Sequence, residues 1–149
     1  MAVIRITKEF KFEMAHALYG HDGPCRHLHG HSYELFVTIK GIPIQDANSS
    51  KNGMVMDFGD LKKIVRAKII DRFDHALVLN TQTPMPAGLD TFSLFDNMIL
   101  VDFQPSSENL LVYFAELIKP ELPANVQLYS MKLRETVTSY AEWFHDDNP

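Results

Sequence analysis

The chain has 149 residues, enough for one ordinary domain with a single core, and its 46% hydrophobic and 22% charged residues mark a folded chain rather than a disordered one. A formal net charge of −5 argues against non-specific binding to nucleic acid or to an anionic membrane, both of which need a basic surface, yet a local pocket can still take a small anionic substrate. One cysteine, Cys25, excludes an intramolecular disulfide; with no apolar leader segment and no run of roughly 18 apolar residues, a cytoplasmic, non-membrane protein is expected.

From Val3 to His16 the pattern has period two. Ile4, Ile6, Phe10, Phe12 and Met14 share one face, and Arg5, Thr7, Glu9, Lys11 and Glu13 share the other, which predicts a long strand with one buried face. Residues 18–28, with Gly20, Gly23 and Pro24, read as a loop. Alternation resumes at His29: His31, Tyr33, Leu35, Val37 and Ile39 face one way and Ser32, Glu34, Thr38 and Lys40 the other, with Phe36 the exception on the polar side. This second strand ends at Gly41. Asp57 or Asp60 can cap a helix from about Leu61 to Phe73, with Ile64, Val65 and Ile69 along its inner side. Residues 80–97 show no clean period, and Met98–Phe103 is a short apolar run with the look of a strand. Pro105 and Ser106 open a second helix that stops near Lys119-Pro120, because proline cannot continue the hydrogen-bond ladder. Val126 to Glu135 and Ser139 to Phe144 read as two closing strands.

This order predicts a single α+β domain over 1–149: an antiparallel four-stranded sheet with two helices on one face and an irregular insert at about 77–103. The outer face of such a sheet is left uncovered in one chain, so Phe36 and Tyr140 are candidates to meet another subunit.

His29 and His31 stand at i and i+2 of a strand, on its apolar face. His16 ends the apolar stripe of the first strand. If the two strands pair as a hairpin, three imidazoles meet at one end of the buried face. Neutral imidazole is a good zinc ligand, and three protein ligands with an open fourth position mark a catalytic site. Gly30 is expected to let the strand lie close to the ion. A lone histidine is more often a satisfied half-buried residue; three converging on one strand end reverse that weighting. His27 shares their parity but lies in the preceding loop, and with His21 it is set aside as a bystander. His145, beside Asp146 and Asp147, reads as solvated.

Cys25 lies in a glycine-proline loop close to the proposed metal, where a thiolate is stabilised and accessible. Asp74-His75 follows the first helix directly. Glu135 has the parity of Met131 and Leu133, so its carboxylate points to the buried side, a costly placement that suggests a ligand anchor, or else a salt bridge to a nearby cation. Glu108 sits in the first turn of the second helix, where a carboxylate suits the dipole.

Phe10-x-Phe12-Glu-x-Ala-His16, Cys25-x-x-x-His29-Gly-His31, Asp74-His75, Pro105-Ser-Ser-Glu108-Asn and Arg134-Glu135-Thr136 occur in this order. With these motifs the chain resembles the 6-pyruvoyl- and 6-carboxy-tetrahydropterin synthase family over roughly residues 3–76 and 104–136. The resemblance implies a tunnelling fold assembled as a homohexamer of two trimers, with active sites between subunits. It implies Zn2+ on His16, His29 and His31, acid–base work by Cys25, Asp74 and His75, and Asp74-His75 reaching Cys25 across a subunit boundary. Glu135 would anchor the guanidine-like edge of a pterin, and Ser106, Ser107 and Glu108 align with a second substrate contact. The C-x3-H-G-H spacing resembles the carboxy-forming bacterial enzymes of 7-deazaguanine (queuosine) synthesis rather than the C-x5-H-G-H of the pyruvoyl-forming animal enzymes. Cys25 itself speaks against a third group that carries glutamate there. The implied reaction turns 7,8-dihydroneopterin triphosphate into 6-carboxy-tetrahydropterin, acetaldehyde and triphosphate. The pyruvoyl-forming synthase and a non-catalytic zinc or pterin-binding module stay open as alternatives.

Overall fold

A computed structural model describes residues 1–149. Strands β1 (Ile4–His16) and β2 (His29–Gly41) pair antiparallel from Ile4 opposite Gly41 to His16 opposite His29. Because side chains alternate, this register sets Phe10 against Leu35, Phe12 against Tyr33, Met14 against His31 and His16 against His29 on one face. Phe12 and Tyr33 stack with ring centroids 5.2 Å apart.

Asp57 caps α1 (Phe58–Val65), its carboxylate accepting the Gly59 N–H at 2.7 Å. The helix runs on through a π-helical turn (Arg66–Ile70) into a last turn, α2 (Asp71–Phe73). The widened turn lets Ile69 and Ile70 both be buried, along with Leu61, Val65 and Phe73. Ser106 caps α3 (Ser107–Ile118) by accepting the Asn109 N–H at 3.3 Å, and Pro120 lies in the 3-10 turn (Lys119–Glu121) that ends it. Phe114 of α3 packs on Phe12 and Phe73, with centroids 6.4 and 5.3 Å away, and so joins both helices to the sheet. A side chain of this size, fully buried, contributes about 1.5–3 kcal/mol. One cluster of 25 buried residues forms the core between the helices and the inner sheet face.

The sheet has six strands in the order β4-β3-β1-β2-β5-β6, and it is mixed. This corrects the expected four-stranded antiparallel sheet. β5 (Val126–Thr136) and β6 (Ser139–Phe144) are antiparallel additions, as expected. Of the two extra strands, β3 (Ala76–Asn80) runs parallel to β1 where the irregular insert was expected to begin, and β4 (Met98–Val101) runs parallel to β3 within the apolar run expected as a strand. Each is a four- or five-residue apolar stretch without alternation, which is how strands of a parallel pair read and which periodicity alone does not separate from a loop or helix end. Residues 81–97 link them through two short 3-10 turns and expose Phe92 and Leu94.

The outer face carries cations over aromatic rings. The Arg5 guanidinium lies 3.8 Å from the Tyr129 ring centroid, and the Lys132 ammonium lies 4.1 Å from that of Tyr140 and 5.1 Å from that of Phe36. Phe36, out of pattern in the sequence, is half-buried there, whereas Tyr140 stays exposed.

Candidate metal centre and active site

The hairpin register brings His16, His29 and His31 together at the end of β1 and β2 that residues 17–28 connect. His16 Nε2 lies 3.1 Å from His29 Nε2, and the His16–His31 and His29–His31 ring centroids are 5.2 and 4.8 Å apart. Glu135 joins them from β5: its Oε1 is 2.7 Å from His31 Nε2 and 3.7 Å from His16 Nε2. One ligand atom from each of these four residues falls within 4.8 Å of the others.

The ring orientations are set by the backbone. His16 Nδ1 donates to the Pro105 carbonyl at 2.7 Å, and His29 Nδ1 donates to the His27 carbonyl at 2.6 Å. With the proton held at Nδ1, each Nε2 presents a lone pair, so two lone pairs face each other across 3.1 Å. His31 Nε2 is buried and has no hydrogen bond, its approach to Glu135 being short but misaligned. Opposed lone pairs and an orphaned ring nitrogen are relieved by a cation. Burial lowers the pKa of His16 and of His31, with the Glu135 charge opposing the shift in both cases, so both rings are neutral ligands near pH 7. This donor set fits zinc.

Glu135 owes its aim to a β-bulge. Arg134 pairs with Tyr140 and Thr136 with Ser139, leaving Glu135 as the extra residue on β5. Its Oε2 accepts the Ser107 hydroxyl at 2.9 Å. The carboxylate is thus held by a hydroxyl and the imidazoles rather than by a lysine or arginine. Tyr33, 1% exposed, lies below the cluster with its ring 5.5 Å from that of His31, and its hydroxyl has no hydrogen-bond partner. Burial foremost, then the charges of Glu135 and Cys25, raise its pKa well above the ordinary phenol value. Neither Tyr33 nor the Pro105 carbonyl was legible as part of the site, since a tyrosine in an apolar stripe reads as core.

The other sequence candidates fall in three places. Cys25, in the turn Pro24–Arg26, is half-buried and near enough for its charge to bear on Tyr33. Asp74 and His75 lie where the chain enters β3 alongside β1, in a pocket that His31 also lines: His75 Nδ1 is 3.0 Å from Asp74 Oδ1, which also accepts the Glu13 backbone N–H at 2.9 Å. His75 adopts φ +63°, a conformation costly for a non-glycine residue, and its ring is largely exposed beside a shallow pocket lined by Glu13, Gly30 and Ser32. No hydrogen bond joins Cys25 to this pair within one chain. Ser106 caps α3, Ser107 reaches the cluster through Glu135, and Glu108 points away beside Trp143 and Asp147.

Gly30 does not serve the purpose expected of it. It pairs with Ala15 on the outer face, so the missing side chain faces away from the imidazoles. The His27 ring is exposed and contributes only its carbonyl, and His21 lies by Asp22. His145 is half-buried rather than free in solvent, its Nε2 2.8 Å from the Gln127 amide nitrogen.

Residues 5–146 match the model of the family described as 6-pyruvoyl tetrahydropterin synthase, and the chain belongs to that family. It is similar to the 6-carboxy-5,6,7,8-tetrahydropterin synthase of Haemophilus influenzae, at 36% identity over 143 residues that cover 95% of this chain and 99% of that protein. The protein of the same name from Synechocystis is 34% identical, with 93% of this chain and 92% of that one covered. Among solved structures, the fold matches 6-pyruvoyl tetrahydropterin synthase from Caenorhabditis elegans with a TM-score of 0.68 at 24% identity, covering 97% of this chain and 96% of that one. An uncharacterized protein from Wolinella succinogenes superposes with a TM-score of 0.80 at 23% identity, covering 97% and 99%.

Proposed function

We propose that this chain is a zinc-dependent 6-carboxy-tetrahydropterin synthase, a carbon–carbon lyase that converts 7,8-dihydroneopterin triphosphate and one water to 6-carboxy-tetrahydropterin, acetaldehyde and triphosphate. The observation that carries it is the convergence of His16, His29, His31 and Glu135, with two ring tautomers fixed by backbone carbonyls, in a chain whose relatives above bear that name. Zinc, held by the three imidazoles, supplies a Lewis acid that makes the adjacent side-chain hydroxyls of the substrate more acidic.

The chain's own residues do the rest. The Glu135 carboxylate binds the guanidine-like edge of the pterin through paired N–H···O bonds, and Ser107 orients it. The second substrate contact that the resemblance gives Ser106 and Glu108 has no support from their positions in one chain, where Ser106 caps α3 and Glu108 lies beside Trp143 and Asp147. Cys25 takes and returns protons as general base and acid. Asp74 lies beside the His75 imidazole, its Oδ1 3.0 Å from Nδ1, and the pair serves to accept or give a proton. The absence of a hydrogen bond between this pair and Cys25 in one chain, with the His75 ring largely exposed, supports active sites assembled between subunits of a homohexamer, Asp74-His75 coming from the neighbour. Placement in the cytoplasm and in queuosine synthesis belongs to the same reading. The C-x3-H-G-H spacing favours it over the pyruvoyl-forming reaction. Mass spectrometry after incubating the zinc-loaded protein with 7,8-dihydroneopterin triphosphate tests it: the carboxy product and acetaldehyde are expected, and a pyruvoyl product without acetaldehyde overturns it.

A further inference from the structure

Both oxygens of Glu135 are engaged, and by different partners. Oε2 accepts the Ser107 hydroxyl at 2.9 Å, while Oε1 faces the imidazoles at 2.7 and 3.7 Å. A carboxylate that grips a guanidine-like edge must offer both oxygens side by side to two parallel N–H groups. Oε1 cannot do that while it lies among the imidazoles. The separations also approach the scale of a coordination shell: tetrahedral zinc with ligand bonds of about 2.0–2.1 Å places its donors about 3.3 Å apart, three of the pairs here are at 2.7, 3.1 and 3.7 Å, and all lie within 4.8 Å.

The parts around Glu135 differ in freedom. His16 is 1% exposed and tied to Pro105, and Ser107 is 5% exposed at the start of α3. Glu135 is 25% exposed and sits on a bulge outside the regular strand ladder. It is the member of the cluster best able to turn.

We propose that Glu135 is an exchangeable donor. At rest its Oε1 completes a four-donor metal site with His16, His29 and His31. When a pterin binds, the carboxylate turns to pair with the pterin N–H groups and vacates that position for the side-chain hydroxyls. This rests on the reading of Glu135 as the pterin anchor. Recognition of the pterin edge and opening of the coordination position then become one event, and a molecule without that edge meets a closed site. Ser107 is a positioning residue: by holding Oε2 it directs Oε1 inward.

Cobalt(II)-loaded protein tests this, because the visible bands of cobalt report its donor set without turnover. The probe is pterin itself, which has the recognition edge and no hydroxylated side chain. The wild-type spectrum is expected to change on adding pterin, and Glu135→Gln to start from a different spectrum that pterin does not alter. Identical starting spectra for the two proteins overturn the proposal. So does a wild-type spectrum unmoved at saturating pterin, which would make Glu135 a fixed ligand. Pterin titration of the metal-free proteins by fluorescence judges the anchor reading separately: a loss of about tenfold or more in Glu135→Gln keeps it even if the exchange fails, and unchanged affinity removes both. For Ser107→Ala, zinc affinity is expected to fall on the order of tenfold, the scale of outer hydrogen-bond partners. Added to Glu135→Gln it should cost nothing further; additive losses overturn the positioning role.

Discussion

Tyr33→Phe removes one buried oxygen atom and little else. The ring is 1% exposed, stacks on Phe12 at 5.2 Å and meets His16 and His31 edge-on at 6.2 and 5.5 Å, all contacts a phenylalanine retains. The hydroxyl lies out of water with no hydrogen-bond partner. Folding therefore strips it of solvent without compensation, a cost of about 1–3 kcal/mol. Phenylalanine carries no such cost, so metal-free Tyr33→Phe should be more stable by about that amount. For a chain of this length 1 kcal/mol moves the melting temperature by about 2–4 °C, so a rise of roughly 2–10 °C is expected in calorimetry of the two metal-stripped proteins. An unchanged or lowered melting temperature would mean that the hydroxyl is hydrogen-bonded, and the assignment of an orphaned donor beneath the cluster would fall.

His29→Ala and His31→Ala should abolish stoichiometric zinc by elemental analysis, as should His16→Ala, whereas His21→Ala and His27→Ala should keep it; loss of metal from His27→Ala alone would contradict the ligand set. Cys25→Ala should slow turnover by about 10²–10⁴-fold, the usual contribution of a general acid–base group, with zinc content unchanged. The metal-free protein should lose stability as pH falls below about 6.5: His16 and His31 have folded pKa values beneath the unfolded one, so the unfolded chain takes up protons first. Their contribution is complete above about pH 6.5 and disappears as pH drops through the lowered folded values. A urea midpoint that rises between about pH 7 and 5 would contradict this sign.

The convergence of the three histidines was legible because a period of two is strict. His29 and His31 fall on the face of Tyr33 and Leu35, His16 on that of Phe12 and Met14, and one hairpin register joins them. Glu135 was readable as an inward carboxylate by the same parity, but its partners were not. Whether it met a lysine, a substrate or the imidazoles depended on a bulge and on the start of α3, neither of which leaves a periodic trace. Asp74-His75 was recognisable as a pair, yet its place against β1 follows from the Glu13 backbone contact and the left-handed turn at His75.

Local chemistry thus determined much by itself: where β1, β2, β5 and β6 run, where Asp57 and Ser106 start helices, and which face each histidine takes, since alternation and capping depend only on near neighbours. Long-range pairing was decided by tertiary structure alone. β3 leaves no periodic trace, and the apolar run at Met98 shows a strand but not its partner; β3 forms on the free edge of β1, and β4 then pairs with β3. The same holds for Glu135: its carboxylate, from the end of β5, meets three imidazoles only once the sheet is assembled and α3 has brought Ser107 and the Pro105 carbonyl to the cluster.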